Sequence, residues 1–232
     1  MSSKDKVLEF LESNRGDYIS GEALAESLSL SRTAVWKAVN ELRKGGYEIE
    51  AVSNKGYKLK ETNDILSAAG IISCLDEELR IVYKGKDLIC VYDSVTSTNR
   101  LAKELAIAGG EHGSVIIANE QTTGRGRRDH SFFSPKGGLY MSILLRPESV
   151  GFFGGASDSA DSAAGASGLN PDAVTGAVGN AVIDSIETLT GIKPRLKPIN
   201  DLFIGAKPPF SAEAASQSIS VGVFSIVSPS RL

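Results

Sequence analysis

Residues 31–60 read SRTAVWKAVNELRKGGYEIEAVSNKGYKLK, and this stretch decides the fold of the front of the chain. Over 32–44, Val35, Val39 and Leu42 recur at helical spacing, which predicts an amphipathic helix with those three side chains inward. Trp36 is expected in the core beside them rather than stacked on a base. Gly45-Gly46 stops the helix, because glycine tolerates the left-handed backbone found at helix ends. YEIEAV and GYKLK then alternate apolar and polar residues around Ser53-Asn54-Lys55, a hairpin signal. Ahead of the helix, Ser29-Leu30-Ser31 reads as a short turn. Ser20 reads as the N-cap of a second helix that buries Ala23, Leu24 and Leu28. Residues 4–13 place Val7, Leu8 and Leu11 on one face of a first helix. Three short helices and a hairpin, over residues 1–62, is the order of a winged helix-turn-helix.

Past Asn63 the pattern changes. A helix is expected over 64–75, a strand over 87–92, a helix over Thr98–Ile107, and strands over Ser114–Ala118 and Leu139–Leu145. Strands and helices interleave, so a second domain of α/β (α+β) class is expected over 64–232. The Gly-, Ala- and Ser-rich segment 151–170 reads as a flexible loop. Residues 172–190 return to a helix, and Ile219–Val227 to a last strand.

Composition bounds the function. The chain has 232 residues, 41% hydrophobic and 23% charged, with net charge −3, which excludes a disordered or fibrous protein. Two cysteines, Cys74 and Cys90, form neither a zinc set nor a disulfide framework and read as buried thiols in a reducing cytosol. No run approaches a membrane span and no signal peptide is evident, so a cytoplasmic protein without membrane partners is expected.

Four stretches carry chemistry. The third helix holds Arg32, Lys37, Arg43 and Lys44 against Glu41. Ser31, Arg32 and Thr33 stand at its N-terminal end, where base contacts usually fall, and Lys55 and Lys58 stand on the wing, placed for phosphates. The reading is DNA binding, against a simple packing unit. Gln121-Thr-Thr-Gly-Arg-Gly-Arg-Arg128 concentrates three guanidinium groups in an acidic chain. It suits a phosphate or carboxylate, or is a solvated basic loop. It is neither a P-loop nor a dinucleotide fingerprint. Asp93-Ser-Val-Thr-Ser-Thr-Asn99, at a strand end, either caps the next helix or binds a polar ligand. Lys197-Pro-Ile-Asn-Asp201 with Gly205-Ala-Lys207 suits a nucleotide and its metal, or is a turn. His112 and His130 read as loop residues, and no resident metal site is assigned.

In this order the four stretches resemble the bifunctional biotin protein ligase and biotin operon repressor, the BirA family. Ser97-Thr98-Asn99, QTTGRGRR (121–128), FSPKG (133–137), GLYMSILLRP (138–147) and KPIND (197–201) carry the resemblance. It implies a class II synthetase-like mixed-sheet domain behind the winged helix. It implies substrates and cofactors: biotin, ATP and Mg²⁺. The biotin carboxylate attacks the α-phosphate to give biotinyl-5′-AMP and pyrophosphate. The biotinyl group then passes to a lysine of the biotin carboxyl carrier protein of acetyl-CoA carboxylase. A ligand-dependent homodimer then binds operator DNA. By the same resemblance Ser97, Thr98, Asn99, Gln121, Gly124, Arg125 and Arg127 face biotin. Arg128, Phe132, Lys197, Asn200 and Asp201 face ATP or the adenylate, and Arg125 and Lys207 are catalytic.

The chain departs from the family at Asp129 and Phe132, where Gly and Trp are usual. Pro198-Ile199 replace Trp-Pro, and Ala206-Lys207-Pro208 interrupt the lysine motif, so Lys207 takes the catalytic place only across a one-residue gap. The small SH3-like C-terminal β-barrel of the family is expected to be absent. A biotin-responsive regulator without ligase turnover therefore stands as the alternative.

Overall fold

Ser2 and Asp5 open the first helix, α1 (Ser3–Ser13), with a reciprocal cap. The Ser2 hydroxyl accepts from the Asp5 N–H at 3.2 Å and the Asp5 carboxylate accepts from the Ser2 N–H at 3.0 Å, which satisfies donors that a helix N-terminus otherwise leaves unpaired. The computed structural model describes residues 2–124, 131–146, 171–197 and 201–204. The chain divides into two compact units, Met1–Val91 and Tyr92–Leu232.

In the first unit, α2 (Gly21–Ser27) and α3 (Arg32–Lys44) follow, capped by Ser20 and Ser31. The wing is the antiparallel pair β1 (Ile49–Val52) and β2 (Gly56–Leu59), in register from Ile49↔Leu59 to Val52↔Gly56. Ile19 adds a bridge to Tyr57, each N–H donating to the other's carbonyl at 2.8 Å. That close approach needs a glycine at 56: its φ is +101°, and a Cβ there would lie 2.6 Å from the Ser20 Cα. Val7, Leu8, Leu11, Leu24, Val35, Val39, Leu42, Ile49 and Leu59 meet in one core. Truncating any of its leucines to alanine should cost about 2–5 kcal/mol.

Trp36 corrects the expectation that placed it in the core: it is 57% exposed. The buried stripe of α3 is Val35, Ala38, Val39 and Leu42, and one residue step turns a helix by about 100°, which carries Trp36 off that stripe.

A buried ion pair ties the end of the wing to α1. The Glu12 side chain is fully buried, and Arg15 donates to its Oε2 through Nε at 3.0 Å and Nη2 at 2.5 Å. Arg15 also donates to the Asn63 carbonyl at 2.6 Å, while Asn63 Oδ1 accepts from the Glu48 N–H at 3.0 Å. The helix expected from residue 64 starts later, as α4 (Ala68–Cys74), because Ser67 is extended and its hydroxyl caps Gly70 at 3.0 Å. α5 (Glu77–Tyr83) follows, and the sequence reading assigned nothing there. It buries no residue, so it has no inward stripe for a periodicity to reveal.

β3 (Ile89–Tyr92) runs through the point where the units divide, and the strand order is β3-β4-β5, with β4 (Ser114–Ala118) and β5 (Tyr140–Leu144) in the second unit. β4 and β5 are antiparallel, from Ser114↔Leu144 to Ala118↔Tyr140. Beyond the strand ends Val95 bridges Gln121 in parallel and Gln121 bridges Ser134 antiparallel. α6 (Thr98–Ile107) packs on β4 and β5. α7 (Pro171–Thr190) buries Val174 and Ile183 and packs on the hairpin β6 (Arg195–Lys197) and β7 (Asp201–Phe203). Those two strands were not expected, since three residues are too few to show alternation. His112 is a loop residue, as expected: its Nδ1 accepts from the Arg146 N–H at 3.0 Å. Cys74 and Cys90 are free, and neither is buried as expected: Cys74 is exposed and Cys90 half-buried. The expected loop at 151–170, the strand at 219–227 and His130 lie outside the described residues. Among the described residues no helix is long and apolar enough to cross a membrane.

Candidate functional site

The first unit presents the outer face of α3 and the wing. Ser31 spends its hydroxyl oxygen on the Ala34 N–H at 3.1 Å and so starts the helix. Arg32 is paired with Glu22 at 2.6 Å, with both side chains more than 60% exposed. Such a pair is worth only about 0–1 kcal/mol, so Arg32 can exchange it for another anion at little cost. Thr33 and Lys37 are exposed. Arg43 differs: its Nε and Nη2 both donate to the Ile49 carbonyl, at 2.8 and 2.7 Å, so its first task is to hold the wing to the helix.

On the wing, Tyr18 organises the cations. Its hydroxyl donates to Glu50 at 2.7 Å, Lys58 lies 3.5 Å from the same carboxylate, and the ammonium groups of Lys58 and Lys55 sit 4.8 and 5.5 Å from the Tyr18 ring centre. The Tyr18 hydrogen bond, helped by Lys58 and Lys60, holds the Glu50 carboxyl below its ordinary value. The same bond raises Tyr18.

The second unit contains a closed polar network where β3 hands over to α6. Gln121 is its centre. Its Oε1 accepts from the Thr98 backbone N–H at 2.8 Å and from the Thr98 hydroxyl at 3.2 Å, and its Nε2 donates to Ser134 Oγ at 3.0 Å. Ser134 donates on to the Phe132 carbonyl at 3.2 Å, and Ser142 of β5 donates to Thr98 Oγ1 at 2.9 Å. Thr98 and Ser134 are buried, at 4% and 3% exposure. A side-chain amide 23 residues away thus takes the N-terminal donor that Ser97, the N-cap residue, leaves alone. Ser97 is also buried, yet its hydroxyl makes no capping bond. Backbone bonds hold the loops together: Thr122 N–H to the Val95 carbonyl, Thr123 N–H to Thr96, Gln121 N–H to Ser134, and Phe132 N–H to Gly124, all at 2.8–3.0 Å.

Gly124 lies under this network. A Cβ there would collide with the Phe132 carbonyl and lie 2.5 Å from Ser134 Oγ, so only hydrogen fits. Asn99 is half-buried on α6 and Phe132 is half-buried. The backbones of Lys197 and Asp201 pair opposite each other at the closing end of the β6–β7 hairpin. Arg125, Arg127, Arg128, Asn200 and Lys207 lie outside the described residues. Sequence reasoning missed Ser134 and Ser142 as members of the network. Their signal was available: Ser142 stands in phase with Leu144, whose side chain is inward, so a hydroxyl occupies an inward strand position.

These features define a helix-turn-helix unit followed in the chain by an α/β unit with a buried polar network. Residues 4–58 match the HTH domain family, and residues 91–207 match the biotin/lipoate A/B protein ligase family. The chain belongs to that ligase family and, with a helix-turn-helix ahead of it, to its BirA branch. It is 34% identical over 202 residues to the bifunctional ligase/repressor BirA of Bacillus spizizenii, covering 87% of this chain and 55% of that one. It is 36% identical over 134 residues to the BirA of Escherichia coli, covering 57% and 39%. A biotin protein ligase structure from Aquifex aeolicus, solved with biotin and ATP, superposes with a TM-score of 0.40 and 26% identity, over 53% of this chain and 44% of that one. The chain spans about half the length of the curated relatives it matches.

Proposed function

We propose that this chain activates biotin with ATP, transfers it to a carrier lysine, and represses a biotin operon. The observation that carries the reading is the Gln121–Thr98–Ser134–Ser142 network, with the unspent hydroxyl of Ser97 beside it. A ureido ring has one carbonyl acceptor and two N–H donors. Buried hydroxyls and a carboxamide match such a neutral, hydrogen-bonding head and reject a purely apolar one. The three arginines Arg125, Arg127 and Arg128 follow Gly124 directly in the chain. Guanidinium groups that follow the head-group residues in sequence suit the carboxylate end of biotin and the phosphate of biotinyl-5′-AMP. Excluding water there would protect the mixed anhydride from hydrolysis. Lys197, Asn200 and Asp201 are assigned to the nucleotide phosphates and Lys207 to catalysis. Mg²⁺ enters with ATP as charge neutralisation on its phosphates; among the described residues no group of three His, Cys, Asp or Glu could hold a metal ion.

The acceptor is a lysine of the biotin carboxyl carrier protein of acetyl-CoA carboxylase, and the adenylate favours a homodimer on operator DNA. The DNA-reading module is residues 1–62, with Ser31, Arg32, Thr33, Lys37, Lys55 and Lys58 in contact, and the ligase-like domain starts at 64. Similarity to BirA relatives and the exposed cations of α3 support this half.

Isothermal titration with biotin, alone and with ATP, tests the proposal: heat with biotin, and tighter retention once ATP is added, is expected. No heat under either condition overturns it. The departures at Pro198-Ile199 and Ala206-Pro208 favour a second reading, a biotin-responsive regulator without turnover. Biotin-dependent exchange of labelled pyrophosphate into ATP supports the ligase, and its absence alongside biotin heat supports the regulator.

A further inference from the structure

The outer face of α3 holds a shallow groove of about 570 Å³ lined by Trp36, Lys37, Asn40, Glu41, Arg43 and Lys44. Its composition is unusual for a solvated helix face. An indole that is 57% exposed stands one helical turn before a half-buried carboxamide, among three cations and one carboxylate. Arg43 is committed to the Ile49 carbonyl, and Arg32, at the helix start, holds an exposed, exchangeable pair with Glu22. The side chains of Asn40, Lys37 and Lys44, by contrast, have no hydrogen bond or ion pair among the described residues. The face therefore keeps a planar apolar plate, a two-sided amide and two unneutralised ammonium groups free at once.

Those groups correspond to what one kind of base pair displays in the major groove. Adenine offers N7 and N6–H₂, which an Asn amide reads with two bonds, and thymine offers a methyl group to an apolar side chain. Lys37 and Lys44 supply the charge that phosphates require, which argues for duplex DNA over a protein partner as the occupant. We propose that Trp36 and Asn40 are specificity-determining residues for operator DNA: Asn40 reads an adenine edge and the Trp36 indole packs on a thymine methyl. This rests on the DNA-binding reading above and names the base pair it selects.

The test uses the full chain with biotin and ATP present, and a duplex recovered by it from a random library. Each thymine of that duplex is replaced in turn by uracil, which removes only the methyl. Each adenine is replaced by 7-deazaadenine, which removes N7. Burial of one methyl predicts a loss of about fourfold at one or more thymines. Losing the N7 bond while N6–H₂ remains predicts about two- to 12-fold at one adenine. Trp36→Ala should bind the thymine and uracil duplexes equally, and Asn40→Ala should bind adenine and 7-deazaadenine equally. Lys37→Ala should weaken all duplexes alike. Trp36 is exposed, so its replacement leaves the core intact, and circular dichroism of each variant checks this. Wild-type binding that ignores both base changes, or discrimination that survives in both variants, overturns the proposal while leaving DNA binding in place. Recovery of no duplex from the library overturns the DNA-binding reading as well.

Discussion

Replacing Gln121 with alanine should open the start of α6 and little else. Three hydrogen bonds disappear: Thr98 N–H to Oε1 at 2.8 Å, Thr98 hydroxyl to Oε1 at 3.2 Å, and Nε2 to Ser134 at 3.0 Å. Their consequences differ. The Thr98 backbone N–H belongs to a residue 4% exposed at a helix N-terminus whose N-cap side chain does not help. It is stranded without water, at a cost of about 1–3 kcal/mol. The two hydroxyls keep other partners, Ser142 for Thr98 and the Phe132 carbonyl for Ser134, so they re-aim and lose less. The total is about 2–4 kcal/mol. A global melt would blur this, because the chain has two units and its one tryptophan, Trp36, reports on the first. Amide hydrogen exchange followed by mass spectrometry isolates the effect. Peptides covering 97–107 should exchange about 30- to 700-fold faster, at 1.4 kcal/mol per tenfold, while peptides from 3–59 stay unchanged. Acceleration below about fivefold in 97–107 would refute the claim that Gln121 caps α6.

Arg15→Ala leaves the Glu12 carboxylate buried without a counter-charge and should destabilise the first unit by about 3–5 kcal/mol in urea unfolding followed by circular dichroism. A double variant Glu12→Gln, Arg15→Ala should regain part of it, and a loss under about 1 kcal/mol would contradict the buried pair. Tyr18→Phe removes the bond that depresses Glu50, so the Glu50 carboxyl should titrate closer to its ordinary 4.5 by NMR. A depressed carboxyl contributes stability that is complete above its unfolded value and fades as pH falls through the folded one. The variant should therefore lack part of that pH-dependent contribution, so the wing should lose less stability on acidification than in the wild type, and an unmoved titration would exclude the bond. Gly124→Ala puts a methyl against the Phe132 carbonyl and Ser134 Oγ. It should weaken biotin binding and shift Ser134, and a calorimetric titration indistinguishable from wild type would separate Gly124 from the site.

The winged helix was legible because each of its signals is local. Val35, Val39 and Leu42 recur at helical spacing, Ser20 and Ser31 cap where they stand, and Gly45-Gly46 ends α3. Trp36 was misplaced because an aromatic residue beside an apolar stripe reads as core, whereas a rotation of about 100° decides its side of the helix. Gln121 was singled out for its place before the arginine run. Its structural role, capping a helix that begins 23 residues earlier, follows from a parallel bridge between Val95 and Gln121 that no local pattern announces. Ser134 and Ser142 enter the network through antiparallel pairing with Gln121 and β4, and register of that kind depends on which strands meet. Arg43 looked like a phosphate contact because cations on a recognition helix usually are. The Ile49 carbonyl that occupies it lies across a turn whose geometry the spacing does not specify.

If the second unit activates an acid as proposed, the polar network bears on which one, since the matched family is described as biotin/lipoate A/B protein ligase. Hydroxyls at Ser97, Thr98, Ser134 and Ser142 are poor core material: methyl groups of similar size would pack as well without needing partners. Four of the five polar side chains satisfy one another, which holds them in place but leaves the Ser97 hydroxyl and spare lone pairs for a guest. A ureido head can use them. A dithiolane head, with no N–H and no carbonyl, would desolvate them without replacement, at about 1–3 kcal/mol for each group stranded. Two such groups already separate the acids by about 30- to 20,000-fold. The carboxylate tails are alike, so whatever groups hold them cannot supply the selectivity. On the proposed reading, discrimination comes from the neutral side chains of Ser97, Thr98, Gln121, Ser134 and Ser142, and lipoate bound as tightly as biotin would count against that role for Gln121 and Thr98.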